Sequence, residues 1–103
     1  MHIYEPPIEE IDFVLHAFLK ISEQKISGYN LLTSDFTNPI LTEAGKLAKE
    51  VIAPTNKDGD EVGCKLENGV VRTPESFKKA FKKMCEGGWT SLDIEEEYGG
   101  QNL

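Results

Sequence analysis

An all-α fold is what this sequence predicts: a small helical domain of three main helices, with a short irregular or ribbon-like excursion between the second and third. Three observations carry that expectation. Apolar residues recur at spacings of three and four in three separate stretches, as in helices that bury one face. Proline stands at or near the opening of each stretch, where its missing N–H costs no intrahelical bond. Between the second and third stretches, Thr55 to Arg72 carries glycine, aspartate and asparagine turn signals and no helical period.

The first stripe follows Pro6-Pro7 and runs through Ile8, Ile11, Leu15 and Phe18, widened by Val14 and Leu19. Glu9, Glu10 and Asp12 stand near its positive end and Lys20 and Lys25 near its negative end, which suits the backbone dipole. Gly28 is the expected stop. Around Leu31, Leu32 and Phe36 two options stay open, a short helical turn or a loop stapled to the core.

The second helix is expected to open at Asn38-Pro39, an N-cap followed by proline at the first helical position. Ile40, Ala44, Leu47 and Val51 form its apolar row, with Leu41, Ala48 and Ile52 beside them, and Pro54 stops it. Lys46 has two possible partners on the exposed side, Glu43 and Glu50. Beyond it, Asp58-Gly59-Asp60 reads as a turn. Asn68-Gly69 favours a tight turn with positive φ, so Leu66 and Val70-Val71 are expected to form a two-stranded ribbon around it. The third helix starts at Thr73-Pro74-Glu75, buries Phe77, Ala80, Phe81, Met84 and Cys85, and turns four lysines, Lys78, Lys79, Lys82 and Lys83, to solvent. Gly87-Gly88 supplies its left-handed cap.

Composition bounds the function. With 103 residues, 39% apolar and 28% charged, the chain fits one soluble globular domain and neither a collagen-like nor a low-complexity class. No run approaches the roughly 18 apolar residues of a membrane span. A net charge of -7 argues against nucleic acid or an anionic membrane as partner. The start, Met1 to Pro7, has no basic stretch followed by an apolar one, and Cys64 and Cys85 match no disulfide, zinc or redox spacing. A cytoplasmic protein with reduced thiols is expected, Cys85 in the core.

Candidate chemistry is sparse. Asn56, Asp58, Asp60 and Glu67 imitate four positions of a calcium-binding loop, but Glu61 stands where the sharp turn needs glycine and Gly63 where an apolar residue belongs. A solvated acidic loop is the simpler expectation. His2 and His16 have no ligand partners at metal-binding spacing and read as packing or surface residues. No nucleophile elbow, phosphate loop or dinucleotide fingerprint is present. No residue is assigned a catalytic, cofactor-binding or metal role.

The order of these modest features carries more than any one of them. Tyr4-x-x-Pro7-x-x-x-Ile11-x-Phe13-Val14-Leu15, then Ile40-Leu41-x-Glu43-Ala44-x-x-x-Ala48-x-Glu50-Val51-Ile52-Ala53-Pro54, resemble successive helices of the acyl-CoA dehydrogenases. Asn56-x-x-Gly59-Asp60-x-x-Gly63 and Gly69-x-Val71-x-Thr73-Pro74-x-x-Phe77-Lys78-x-Ala80 are similar to that family's following loop and helix. Gly88-Trp89 and Glu97-Tyr98-Gly99-Gly100-Gln101 complete the likeness, which is nearest to the branch holding long-chain and methylthiopropanoyl-CoA dehydrogenases.

The resemblance implies an FAD-dependent enzyme that oxidises acyl-CoA thioesters to 2,3-enoyl products, a carboxylate taking the α proton while the β hydride goes to flavin. In that family the flavin contacts and the catalytic glutamate lie in later domains. The chain is therefore expected to be a partial N-terminal helical domain, 1–37 as an extension helix and loop and 38–103 as the start of the helical core, without cofactor of its own. The family pattern continues Gly-Gly-Gln-Gly-Leu-Pro, where this chain has Gln101-Asn102-Leu103. The partner expected is the remainder of the dehydrogenase, or a second copy meeting exposed apolar helix faces. The alternative is a stand-alone acidic helical interaction module using Glu95, Glu96 and Glu97.

Overall fold

In the computed structural model, which describes residues 3–103, helix α1 begins at Ile8 directly after Pro7. The expectation for His2 lies outside the described residues. The chain divides into two units, Met1–Glu50 and Val51–Leu103, and each is described by itself.

In the first unit, α1 (Ile8–Asp12) continues as a π-helical turn over Phe13–Phe18, with the Leu19 N–H on the Val14 carbonyl at 2.8 Å. It ends well short of Gly28. Lys20 takes a left-handed conformation (φ 48°), and the Gln24 side-chain amide donates to the Leu19 carbonyl at 2.7 Å, satisfying an end group the helix leaves open. Gly28 instead opens a 3-10 turn over Tyr29–Leu31, and Phe36 belongs to the next helix.

Helix α2 (Ser34–Leu47), extended by a π-helical turn over Ala48–Ile52, starts ahead of Asn38, so Pro39 sits inside it rather than at its first position. Contacts to α1 decide this early start. The Ser34 hydroxyl donates to Asp12 Oδ1 at 2.7 Å, and Thr37 Oγ1 shares a 2.8 Å hydrogen bond with His16 Nε2. The predicted apolar row is partly covered at Ile40, Leu41, Ala44 and Leu47, while Thr37 and Gly45 are buried. Pro6 and Ile8 press directly on Gly45. Lys46 takes Glu43 as partner, at 3.3 Å.

In the second unit, Thr55–Glu61 is a helix, α3, where a turn was expected. Gly59 serves close packing there: a Cβ at this position would stand 2.9 Å from Phe77 Cζ. The ribbon forms as predicted. Strands β1 (Lys65–Glu67) and β2 (Val70–Arg72) pair antiparallel with Leu66 opposite Val71. Asn68 (φ 51°) and Gly69 (φ 77°) make the turn, both in the left-handed region that a two-residue hairpin favours.

Helix α4 (Glu75–Glu86) ends at Gly88 (φ 76°). Of the predicted stripe, Ala80 is buried and Met84 half-buried, continued by Ser76, while Phe77, Phe81 and Cys85, one residue further round, are exposed. One residue is about 100° around a helix, enough to turn one edge of a broad stripe outward. Cys85 is thus a surface thiol, not a core one. Helix α3 lies against α4 with the Phe77 ring beside Gly59, and Phe81 and Cys85 are left uncovered.

The last stretch folds back on itself through backbone bonds, Gln101 N–H to Ser91, Asn102 N–H to Ile94 and Leu103 N–H to Leu92. Gly100 is buried, where a Cβ would run into the Ile94 carbonyl. Asn102, which replaces the glycine of the family pattern, has φ 58°, and asparagine is among the few residues that enter this region readily. The architecture is the predicted one: a mostly helical chain of three main helices, with a short antiparallel ribbon between the second and third.

Candidate functional site

The densest polar cluster joins α1 to α2. Asp12 Oδ1 accepts from Ser34, lies 3.8 Å from His16 Nε2, and that same ring nitrogen meets Thr37. The residue types suggest a hydrolytic triad, but the connections are wrong. Such a triad has its nucleophile on one ring nitrogen and its carboxylate on the other, so that the carboxylate orients the base. Here the hydroxyl and the carboxylate crowd one nitrogen, and Ser34 is bonded to Asp12 instead of to the ring. The cluster holds two helices together. Sequence reasoning placed His16 as a packing or surface residue but had no signal for Ser34 and Thr37, which are distant in the chain.

The other sequence candidates stay apart. Asn56, Asp58 and Asp60 lie along α3 and Glu67 on β1, so no calcium loop forms. Among the described residues no three His, Cys, Asp or Glu side chains converge to hold a metal. In the lysine row, Lys78 pairs with Glu75 and Lys82 with Glu86. Glu96 and Glu97 sit in an exposed 3-10 turn, Glu96–Tyr98, capped by Glu95. A shallow open depression is lined by Glu9, Glu10, Phe13 and Val14. A flavin dinucleotide needs cations or backbone N–H groups around its pyrophosphate; two carboxylates repel it, and these residues do not fit the group.

The dominant feature is uncovered apolar surface. Among the described residues, Pro74 and Ala80 are the only apolar side chains that are buried. On α1 the contacts to α2 come from Ile8, Asp12 and His16, while the predicted core residues Ile11, Val14, Phe18 and Leu19 are exposed. The accessible surface is 8181 Å², against about 5,800 Å² for a folded globule of this mass and about 7,000 Å² for two separate globules of half the mass. Even the second comparison leaves roughly 1,200 Å² in excess. Faces of this kind mark surfaces made for a partner.

No protein-family model matches the chain. Three curated relatives do. The 3-methylmercaptopropionyl-CoA dehydrogenase of Ruegeria pomeroyi is 33% identical over 97% of this chain and 17% of its own length. The broad-specificity linear acyl-CoA dehydrogenase of Mycobacterium tuberculosis is 30% identical over 89% of the chain and 16% of its own length. The butyryl-CoA dehydrogenase of Syntrophomonas wolfei is 44% identical over 42% of the chain and 8% of its own length. The chain thus spans about a sixth or less of the curated relatives it matches. They give no support to a stand-alone acidic interaction module. Among the described residues no helix is long and apolar enough to cross a membrane. The chain thus resembles one segment of the acyl-CoA dehydrogenases.

Proposed function

We propose that this chain is a structural segment of a cytoplasmic, FAD-dependent acyl-CoA dehydrogenase that oxidises acyl-CoA thioesters to their 2,3-enoyl forms. Residues 1–37 form an N-terminal extension and 38–103 open the helical core domain. The remainder of the enzyme supplies flavin, catalytic base and substrate contacts; this segment's part is to seat the apolar faces of α2 and α4 against that remainder. The observation that carries the reading is the match along 97% of the chain to a dehydrogenase of which it spans 17%, joined to apolar faces left open in every main helix.

Complementation tests it. A dehydrogenase relative lacking the matching segment is expected to be inactive and to regain acyl-CoA oxidation when this chain is supplied, fused or in trans. The chain alone is expected to purify without flavin absorbance. Flavin retained by the isolated chain, or thioester oxidation by it, would overturn the proposal.

A further inference from the structure

The outward face of α1 is built differently from the other open faces. Ile11, Val14 and Phe18 lie at helical spacing on the side away from α2, with Phe13 and Leu19 flanking them, at 37, 44, 74, 63 and 44% exposure. Glu9 and Glu10 stand at one end of this strip and line the open depression there with Phe13 and Val14. Lys20 stands at the other end, exposed and paired with no acid among the described residues. An apolar strip with acids at one end and a cation at the other is self-complementary under a two-fold rotation. Laid antiparallel, two copies bring each Lys20 beside the other's Glu9 and Glu10, oppose their helix dipoles, and bring Val14 near the axis.

We propose that this face of α1 pairs with the same face of a second copy of the chain, antiparallel and across a two-fold axis. The area supports a modest dimer. The five side chains expose about 500 Å² together, the two phenylalanines supplying most of it, so a pair buries about 1,000 Å², near the lower edge of specific interfaces. The expected affinity is correspondingly in the micromolar range, roughly, and sensitive to salt. The inference does not depend on the dehydrogenase role, since α1 pairing and flavin chemistry are read by different measurements.

Sedimentation equilibrium on the whole chain, in a Cys64→Ser/Cys85→Ser background that removes both exposed thiols, gives the first readout. A monomer–dimer equilibrium is expected, weakened about tenfold or more by Phe18→Ser and unchanged by Phe81→Ser in the second unit. Lys20→Glu is expected to weaken it about threefold to tenfold, and adding Glu9→Lys and Glu10→Lys to restore it. All these positions are exposed, and circular dichroism confirms that helix content is kept. Val14→Cys in the same background is expected to form a disulfide between copies on mild oxidation. A chain that stays monomeric into the millimolar range overturns the proposal. So does a dimer that ignores Phe18→Ser, that is broken by Phe81→Ser, or that fails to cross-link through position 14.

Discussion

Replacing Gly45 with alanine sets two effects of opposite sign against each other. Within α2 the change removes a poor helix former and gains about 1 kcal/mol of helix propensity. The new Cβ, however, would lie 2.9 Å from Pro6 Cγ, 3.1 Å from Ile8 Cδ1 and 3.2 Å from Pro6 Cβ. The proline ring is rigid and cannot swing aside, so the segment ahead of α1 must lift, at a cost of about 1–3 kcal/mol. Its lifting also strains the Lys49–Glu5 ion pair at 2.6 Å, which is mostly exposed and adds under about 1 kcal/mol. The N-terminal segment should therefore loosen by about 1–2 kcal/mol while α2 itself holds or tightens. Amide hydrogen exchange by NMR separates the two. The Ile8 and Ile11 amides, bonded to Pro6 and Pro7 carbonyls at 2.9 and 3.0 Å, are expected to exchange roughly 5–30-fold faster, with α2 amides unchanged or slower. Unchanged Ile8 and Ile11 amides alongside a slower α2 would show that Pro6 does not pack on Gly45, and would refute the reasoning.

Three further outcomes follow from the same geometry. Gly59→Ala meets only the far end of the Phe77 ring, which is partly exposed and can turn, so thermal melting should show a change between neutral and about 1 kcal/mol of stabilisation. Thr37→Val leaves the half-buried His16 ring without its hydroxyl partner and should cost about 1–2 kcal/mol in urea denaturation, whereas Thr37→Ser should recover most of it. At Asn102, glycine should be neutral within about 0.5 kcal/mol, while valine, which resists the left-handed region, should lose about 1–2 kcal/mol and the bond from the Asn102 N–H to Ile94, seen in that amide's exchange rate.

Local signals in the sequence were reliable where the answer is local. Asn68-Gly69 specifies its turn through two residues that accept positive φ, and the α2 row Ile40, Leu41, Ala44 and Leu47 is covered as its spacing implies. The misplaced boundaries come from contacts made at a distance. Asn38-Pro39 looks like a helix start, but Ser34 and Thr37 reach Asp12 and His16 and draw the helix back toward Thr33. Asp58-Gly59-Asp60 looks like a turn because nothing nearby shows that Phe77 needs the room at Gly59. The stripes of α1 and α4 were legible as apolar; what the period could not tell is which part of each stripe this chain covers. It covers Ile8 but not Phe18, and Ala80 but not Phe81. The Asp12–His16–Thr37–Ser34 cluster was not legible in the sequence, because only the fold brings these distant residues together.

The claim on which the account rests is that α2 and α4 are made to be covered by the rest of a dehydrogenase. Native-state hydrogen exchange measures it most directly, comparing the isolated chain, diluted until monomeric, with the same residues joined to the remaining sequence of a relative. The isolated chain is expected to protect its slowest α2 and α4 amides by no more than about a thousandfold, and the joined chain by at least about a hundredfold more. Cooperative protection of about 10⁵-fold or greater in the monomeric chain alone, with no gain on joining, would contradict it.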